Sequence, residues 1–584
     1  MNRTGRRLDF AFDKAFRLGV GSLVAALGLS GAAQAALPCA SLTTVLPDSS
    51  IVTAATSILI PGTVAGVAVS VPFCRVQGTA SPTLDSVINW EVWLPATAAA
   101  WNGRMKVNGT GGYAGATPYT RLAQDVGDGM VSAGSNMGHD GGEAAAWTVG
   151  HPEKVKDWGL RAHYYVATAA KVLSNAFYDR PVSYSYFEGC SNGGRQALLM
   201  AQNYPTLFDG IAAGAPSNFY PDLLMWLNWT GQTLTPVQGQ PASITTAKRQ
   251  AITARVMAAC DAVDGLVDNQ ITNPHACNFN IDTMGPAGDG TLTAAELAVV
   301  KKMYAGTTSE TGQQRYAGAN LGSEADWDPN FADNGGYGPF IGHYVYSVLS
   351  PPFNWRTEPN FYSTVYDTAK AALSPITAAP SPDLTAFKNR GGKIIQYAGM
   401  NDSVVPPDGS IAYLHSLALF EKFKALSSPA IDQLTESLTP QSVAAVAGVL
   451  IPRVQQYHRL FLLPAVYHCG GSTGPSSIGG GMPEPPAAYR DADHHVVSAV
   501  MKWVEQGIAP QKIIATRFSG TTLTRERPLC PYPAQAVYNG SGDINVASNF
   551  SCAAQTLTAA DVTSGELLLI KNALRQRALI LPNR

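Results

Sequence analysis

An α/β fold carrying a large insertion is the architecture this sequence predicts, and three observations predict it. Strand-like residues 182–187, a glycine-rich turn, a helical stretch and the short run Gly210-Ile211-Ala212-Ala213 follow one another, which is the βαβ unit of a parallel sheet. A second buried strand, Lys393-Ile394-Ile395-Gln396-Tyr397, resumes that texture much later in the chain. Between them, from about Ser217 to Pro382, tryptophans, Gln-rich loops and many Asn and Gly residues mark a change of composition, read as an inserted lid.

The elements follow in order. Arg3, Arg6, Arg7, Lys14 and Arg17 precede an apolar run, Leu18 to Leu29, and the small-x-small triplet Ala33-Gln34-Ala35, which is the pattern of a signal peptide cleaved before Ala36. The apolar run is shorter than the ~20 residues a spanning helix needs, so a membrane anchor is disfavoured. Arg6-Arg7 makes a poor twin-arginine match because Asp9 follows, so ordinary export is the reading. Residues 36–95 then give short strands, among them Ile51-Val52-Thr53, Val67 to Val71 and Ile88 to Leu94. The strand Arg104 to Asn108 runs into Gly109-Thr110-Gly111-Gly112, and a strand ending in glycines exposes main-chain N–H groups. Leu160 to Phe177 reads as a helix with Tyr165, Ala169, Val172, Leu173 and Ala176 on one face. In the insertion, Thr293-Ala294-Ala295-Glu296 is a capping box opening a helix through Lys302; the acidic Asp289 to Glu296 stretch lacks the first ligand of an EF-hand, since Gly285 stands there. The predicted organisation is a signal peptide over 1–35, core over 36–216, lid over 217–382 and core again over 383–584.

Composition narrows the function. A net charge of -2 with 14% charged residues provides no basic field for nucleic acid, and no run after the leader is long and apolar enough to span a bilayer. All 8 cysteines lie beyond the cleavage point, an even number that an oxidising compartment turns into disulfides. A secreted or periplasmic protein is expected.

The residues that carry chemistry begin with Gly189-Cys190-Ser191-Asn192-Gly193-Gly194. A serine on a sharp strand-to-helix turn needs glycines two places away on each side, and Gly189 and Gly193 meet that demand. This nucleophile elbow makes the α/β-hydrolase fold the specific prediction. The helix beginning at Asn192 directs its positive end at Ser191, so the Asn192 N–H, with that of Gly111 or Gly112, is the expected oxyanion hole. On this fold the order is Ser, acid, His. Asp402 follows the strand 393–397 in the turn Gly399-Met400-Asn401-Asp402 and is the expected acid. Of His415, His458, His468, His494 and His495, His468 is preferred because Cys469 follows it just as Cys190 precedes Ser191. A disulfide between those cysteines would hold their Cα atoms about 4.4–6.8 Å apart and bring imidazole to hydroxyl.

A second constellation, Cys260-Asp261-Ala262-Val263-Asp264-Gly265-Leu266-Val267-Asp268-Asn269-Gln270, crowds three carboxylates around a glycine. They repel unless solvated or neutralised by a hard cation, and calcium (Ca2+) held by Asp261, Asp264 and Asp268, with the carbonyls of Leu266 and Gln270, is the expectation.

These motifs, together with Asn401-Asp402 before Val405-Pro406-Pro407 and the ending Arg527-Pro528-Leu529-Cys530-Pro531-Tyr532-Pro533, resemble the tannase and feruloyl esterase family, which also contains the hydrolase of mono(2-hydroxyethyl) terephthalate. The resemblance spans nearly all of the chain after the leader. It implies a Ser191, Asp402, His468 triad, a Cys190–Cys469 bridge, a structural calcium in the lid and esters of aromatic acids as substrates. It also implies Cys260–Cys277 and Cys530–Cys552, with Cys39–Cys74 as the remaining pair. The stretch 430–449 is longer than the family usual, and no lid arginine aligns securely with the one that grips a terephthalate carboxylate; Arg356 beside Trp355 is a candidate. Trp226, Trp229, Phe340, Tyr344, Phe353 and Trp355 either line an acyl pocket or form the lid's own small core. The rival readings are an acyltransferase or peptidase on the same fold, and an exported, calcium-stabilised binding protein without catalysis.

Overall fold

The computed structural model describes residues 37–576 apart from 59–61, 142–144, 149, 238, 335, 339, 342–353 and 472. The signal-peptide reading of 1–35, and Tyr344 and Phe353, therefore lie outside the described residues.

Nine strands build the main sheet: β1 (Ser50–Ile58), β2 (Phe73–Ala80), β3 (Ile88–Pro95), β4 (Arg104–Asn108), β5 (Val131–Ser135), β6 (Tyr184–Cys190), β7 (Gly210–Gly214), β8 (Lys393–Gly399) and β9 (His458–Leu463). Their spatial order is β1-β2-β3-β5-β4-β6-β7-β8-β9. From β5 to β9 every pairing is parallel, as the βαβ reading requires, whereas β1, β2 and β3 add an antiparallel edge, with β3 also antiparallel to β5. Helices α1 (Tyr119–Gly127), α2 (Ala162–Tyr178) and α3 (Asn192–Asn203) make the crossovers between parallel strands. On α2, Val166, Ala169, Ala170 and Leu173 are buried, the spacing of one helical face turned to the sheet. Asp179 ends it in a left-handed conformation, φ 53°.

One boundary matters for function. The strand read from the sequence as 182–187 is Tyr184–Cys190, and Glu188, Gly189 and Cys190 still pair with Ala212, Ala213 and Gly214 of β7. The sheet thus carries the chain rigidly up to the residue before Ser191.

The segment between β7 and β8 contains the helices Tyr220–Leu234, Thr246–Cys260, Ala294–Ala305 and Tyr366–Thr377. The capping box at Thr293 and Glu296 is formed on both sides. Among the described residues the insertion shares the interior of the sheet: Trp226, Trp327 and Trp355 belong to the same apolar cluster as Ile211 and Ile394. Among the described residues no single helix is long and apolar enough to cross a membrane. All four disulfides are present, Cys39–Cys74, Cys190–Cys469, Cys260–Cys277 and Cys530–Cys552.

Candidate active site

Ser191 sits between β6 and α3 with φ 63° and ψ -125°, a conformation that L-residues rarely adopt. It is held there from both sides: its N–H donates to the Gly214 carbonyl at 2.9 Å, and its carbonyl accepts from the Arg195 N–H at 3.0 Å. A Cβ on Gly189 would lie 2.6 Å from the Gly193 carbonyl carbon, so the flanking glycine is a steric requirement. Gly193 itself is less crowded, at 3.3 Å from the Gly109 carbonyl carbon. The tighter position is Gly194, whose Cβ would collide with the Gly214 carbonyl oxygen.

Asp402 is fully buried at the end of β8. Its Oδ1 accepts the N–H groups of Val404 and Val405 at 2.9 and 2.8 Å, and its Oδ2 accepts from His468 Nδ1 at 2.7 Å. Because a carboxylate only accepts, this bond fixes the proton on Nδ1 and leaves Nε2 as the basic nitrogen. His468 follows β9 and precedes Cys469, which takes φ 51° and is bonded to Cys190 with Cα atoms 6.0 Å apart. The neighbours of Ser191 and His468 are thereby joined covalently.

The other histidines are engaged elsewhere. His458 lies inside β9 and bonds Gln396 at 2.9 Å, His494 bonds Asp491 at 2.8 Å, and His495 caps its helix while reaching Glu484 at 3.1 Å. His415 is fully buried, and burial lowers its pKa to about 4.

Around the turn after β4, the Thr110 N–H donates to Gln196 Oε1 at 3.0 Å and the Thr110 carbonyl accepts from Asn192 Nδ2 at 3.2 Å. The Gly111-Gly112 segment is therefore pinned to the first turns of α3. Gln196 also meets His163 Nε2 at 2.9 Å. Arg195, fully buried, extends the same support: Nε donates to Asn192 Oδ1 at 2.6 Å, and Nη1 donates to the carbonyls of Gly159 and Thr377 at 3.0 and 2.9 Å. Its guanidinium lies 4.4 Å from the Trp158 ring, and burial lowers its pKa to about 10. Sequence reasoning passed over Gln196 and Arg195, because only their distant partners reveal what they do.

Immediately after Gly112, the buried Tyr113 ring packs 5.1 Å from Trp158, 5.3 Å from Tyr337 and 5.0 Å from Phe340. Phe340 thus joins an aromatic cluster beside the glycine turn. Arg356 does not meet the expectation of a free clamp: it is buried, donates to the Gly231 carbonyl at 3.1 Å, pairs with Asp333 Oδ2 at 2.5 Å and lies over Trp355. Trp226 is core, its Nε1 donating to the Ser403 carbonyl at 2.8 Å, and Trp229 donates to the Lys302 carbonyl at 3.3 Å.

In the acidic loop, Asp261 accepts three main-chain N–H groups: those of Asp268 and Gln270 at 3.1 Å each and that of Asn269 at 3.0 Å. Asp264 accepts from Leu266 N at 3.0 Å and Thr272 Oγ1 at 2.6 Å. Asp268 Oδ2 meets Gln270 Nε2 at 2.9 Å and Arg527, while its buried Oδ1 has no hydrogen-bond partner among the described residues. Of the loop's carboxylate oxygens only Asp268 Oδ1 is thus left as a buried, unmatched hard donor, Arg527 already neutralises part of the charge, and the group of possible metal ligands that converges among the described residues is His275, Asp408 and Glu566, not this loop.

Comparison with known proteins decides the lineage. The family model described as tannase and feruloyl esterase matches residues 74–553. The chain belongs to the tannase and feruloyl esterase family. An uncharacterized esterase of Xanthomonas campestris pv. campestris is 35% identical over 511 residues, covering 82% of this chain and 84% of that protein. A probable feruloyl esterase B-2 of Aspergillus terreus is 28% identical over 504 residues, covering 83% and 86%. Among solved structures, feruloyl esterase B from Aspergillus oryzae superposes with a TM-score of 0.73 at 24% identity, covering 88% of this chain and 99% of that one. Tannin acyl hydrolase from Aspergillus niger gives 0.65 at 20% identity, covering 93% and 95%. This member of the tannase and feruloyl esterase family is a carboxylic ester hydrolase on an α/β-hydrolase fold.

Proposed function

We propose that this esterase hydrolyses esters of aromatic acids through an acyl-enzyme on Ser191, in an oxidising compartment outside the cytoplasm. The observation that carries the reading is the 2.7 Å bond from His468 Nδ1 to Asp402 Oδ2, on an imidazole tethered through Cys469 to the neighbour of Ser191.

His468 Nε2 takes the Ser191 proton as Oγ attacks the ester carbonyl, and Asp402 stabilises the resulting imidazolium. The oxyanion is received by the Asn192 N–H at the head of α3, with Gly111 or Gly112 opposite. The imidazolium returns its proton to the departing alcohol, and water, deprotonated by the same nitrogen, releases the acid. Relatives named feruloyl esterase support an aromatic acyl group. Four disulfides support export. Calcium held by Asp261, Asp264 and Asp268, with the Leu266 and Gln270 carbonyls, would supply structural support to the insertion.

The test is hydrolysis of methyl ferulate, methyl gallate, methyl benzoate and mono(2-hydroxyethyl) terephthalate by the wild type and Ser191→Ala, alongside fluorophosphonate labelling. Turnover of an aromatic ester and labelling, both lost in Ser191→Ala, are expected. Unlabelled protein, or activity surviving the substitution, would overturn the reading.

A further inference from the structure

We propose that Asp326, on the insertion, is a positioning residue for the triad acid, holding the turn that carries Asp402 against His468 by way of Ser403. This rests on the reading of Ser191, Asp402 and His468 as a triad.

The turn after β8 is gripped from the insertion at every residue beside Asp402, while the N–H groups of Met400 and Asn401 also donate to the Leu463 and Val466 carbonyls at 2.9 and 3.0 Å. Asn320 Nδ2 donates to the Met400 carbonyl at 3.2 Å, and Asn401 Nδ2 donates to the Gly322 carbonyl. Trp226 Nε1 donates to the Ser403 carbonyl at 2.8 Å. Asp326 Oδ2 accepts from the Ser403 N–H at 3.2 Å and from Ser403 Oγ at 2.8 Å, and that hydroxyl also lies 3.1 Å from the Asp326 carbonyl. Of these four contacts only Asp326 brings a charge. Asp402 reaches His468 from a peptide fixed on both sides, so a loosened Ser403 would let the acid swing about its own turn. The insertion is in this sense a wall of the catalytic centre.

The ionisable groups facing Asp326 are Asp402 on its turn, Tyr467 and His468 after β9, and Glu324 nearby on its own segment. Burial, and then the charge of Asp402, push the Asp326 carboxyl up to about 7, against the pull of the Ser403 bonds. Asp326→Asn keeps an oxygen that can accept from Ser403.

The experiment is a kcat and kcat/KM profile over pH for the full-length chain, with Asp326→Asn, Asp326→Ala and Ser191→Ala compared with the wild type. Asp326→Asn, which keeps an acceptor for Ser403, is expected to retain kcat within about threefold of the wild type, with KM within about twofold. Asp326→Ala is expected to lose about tenfold or more in kcat at unchanged KM, because the acid is displaced while the acyl pocket is not. A kcat lost about tenfold or more in Asp326→Asn, which retains the acceptor, overturns the proposal even where Asp326→Ala fails to fold. Profiles of both variants that superpose on the wild type, with Ser191→Ala inactive, overturn it while leaving the triad intact. Activity surviving in Ser191→Ala removes the triad and this inference together.

Discussion

Cys190 and Cys469 are bonded to each other with Cα atoms 6.0 Å apart, and each is the immediate neighbour of a residue assigned to the chemistry. The bridge limits how far His468 can lie from Ser191, and positive φ stands at both ends of it, 63° at Ser191 and 51° at Cys469. Replacing both cysteines with serine is expected to lower kcat by about a hundredfold. The far-UV spectrum should stay native, since β6 and β9 keep their sheet partners. Steady-state kinetics and circular dichroism on one preparation check this; full activity in the double variant would refute it.

Asp402→Asn keeps the shape of the turn but loses the carboxylate that selects the His468 tautomer. A fall in kcat of about 10³–10⁴-fold with little change in KM is expected, as for the equivalent change in a serine-protease triad. Comparable losses in KM instead would assign Asp402 to substrate binding.

Gly194 and Gly193 separate two kinds of glycine requirement. A Cβ at 194 meets main chain on β7 and lies 2.9 Å from the Pro216 Cα, neither of which can yield, whereas a Cβ at 193 needs only a few tenths of an ångström. Gly194→Ala is expected to cost about 1–3 kcal/mol by urea unfolding, and Gly193→Ala clearly less. Equal costs would mean that the turn adapts.

Away from the catalytic centre, His275 faces Asp408 at 3.6 Å, and its ring, Asp408 and Glu566 place ligand atoms within 4.8 Å of one another. Burial alone would lower the His275 pKa, but the charges of Asp408 and Glu566 outweigh it and lift it to about 10. A folded value above the unfolded ~6.5 means that the stabilisation is fully present below about pH 6.5 and fades as pH rises towards 10. Urea midpoints of the wild type should fall across that window. Those of His275→Ala should start lower, by about 3–5 kcal/mol for a broken buried pair, and change less with pH. Parallel curves would remove His275 from the linkage.

Calcium removal gives a separate readout. If the acidic loop holds the ion, chelation should lower the thermal midpoint, added calcium should restore it, and Asp261→Asn should abolish the response. A midpoint indifferent to chelator and calcium alike would assign the loop's neutralisation to Arg527 and the main-chain N–H groups.

Much of this centre was legible in the sequence because its parts are constrained locally. Gly189 and Ser191 announce a backbone shape, Asp402 lies where a parallel strand ends, and the paired neighbours Cys190 and Cys469 single out His468 among several histidines. The antiparallel edge of β1 to β3 escaped notice, since alternation within a strand does not state the direction of its partner. Arg195, Gln196 and Asp326 escaped for a related reason. Their roles lie in contacts with Thr377, Thr110 and Ser403, and nothing in the local spelling of a polar residue says which distant group it will meet. Arg356 shows the converse: a well-placed side chain beside a tryptophan turned out to be occupied by Asp333 and two carbonyls.

The bond between residues 190 and 469 closes a loop of sequence separation 279, the whole insertion included. A protease cutting anywhere inside that span opens a ring and frees no fragment, so a nicked molecule should keep its mass on a non-reducing gel and part into two only after thiol treatment. One cystine would then secure both the alignment of the groups proposed to react and their survival after damage.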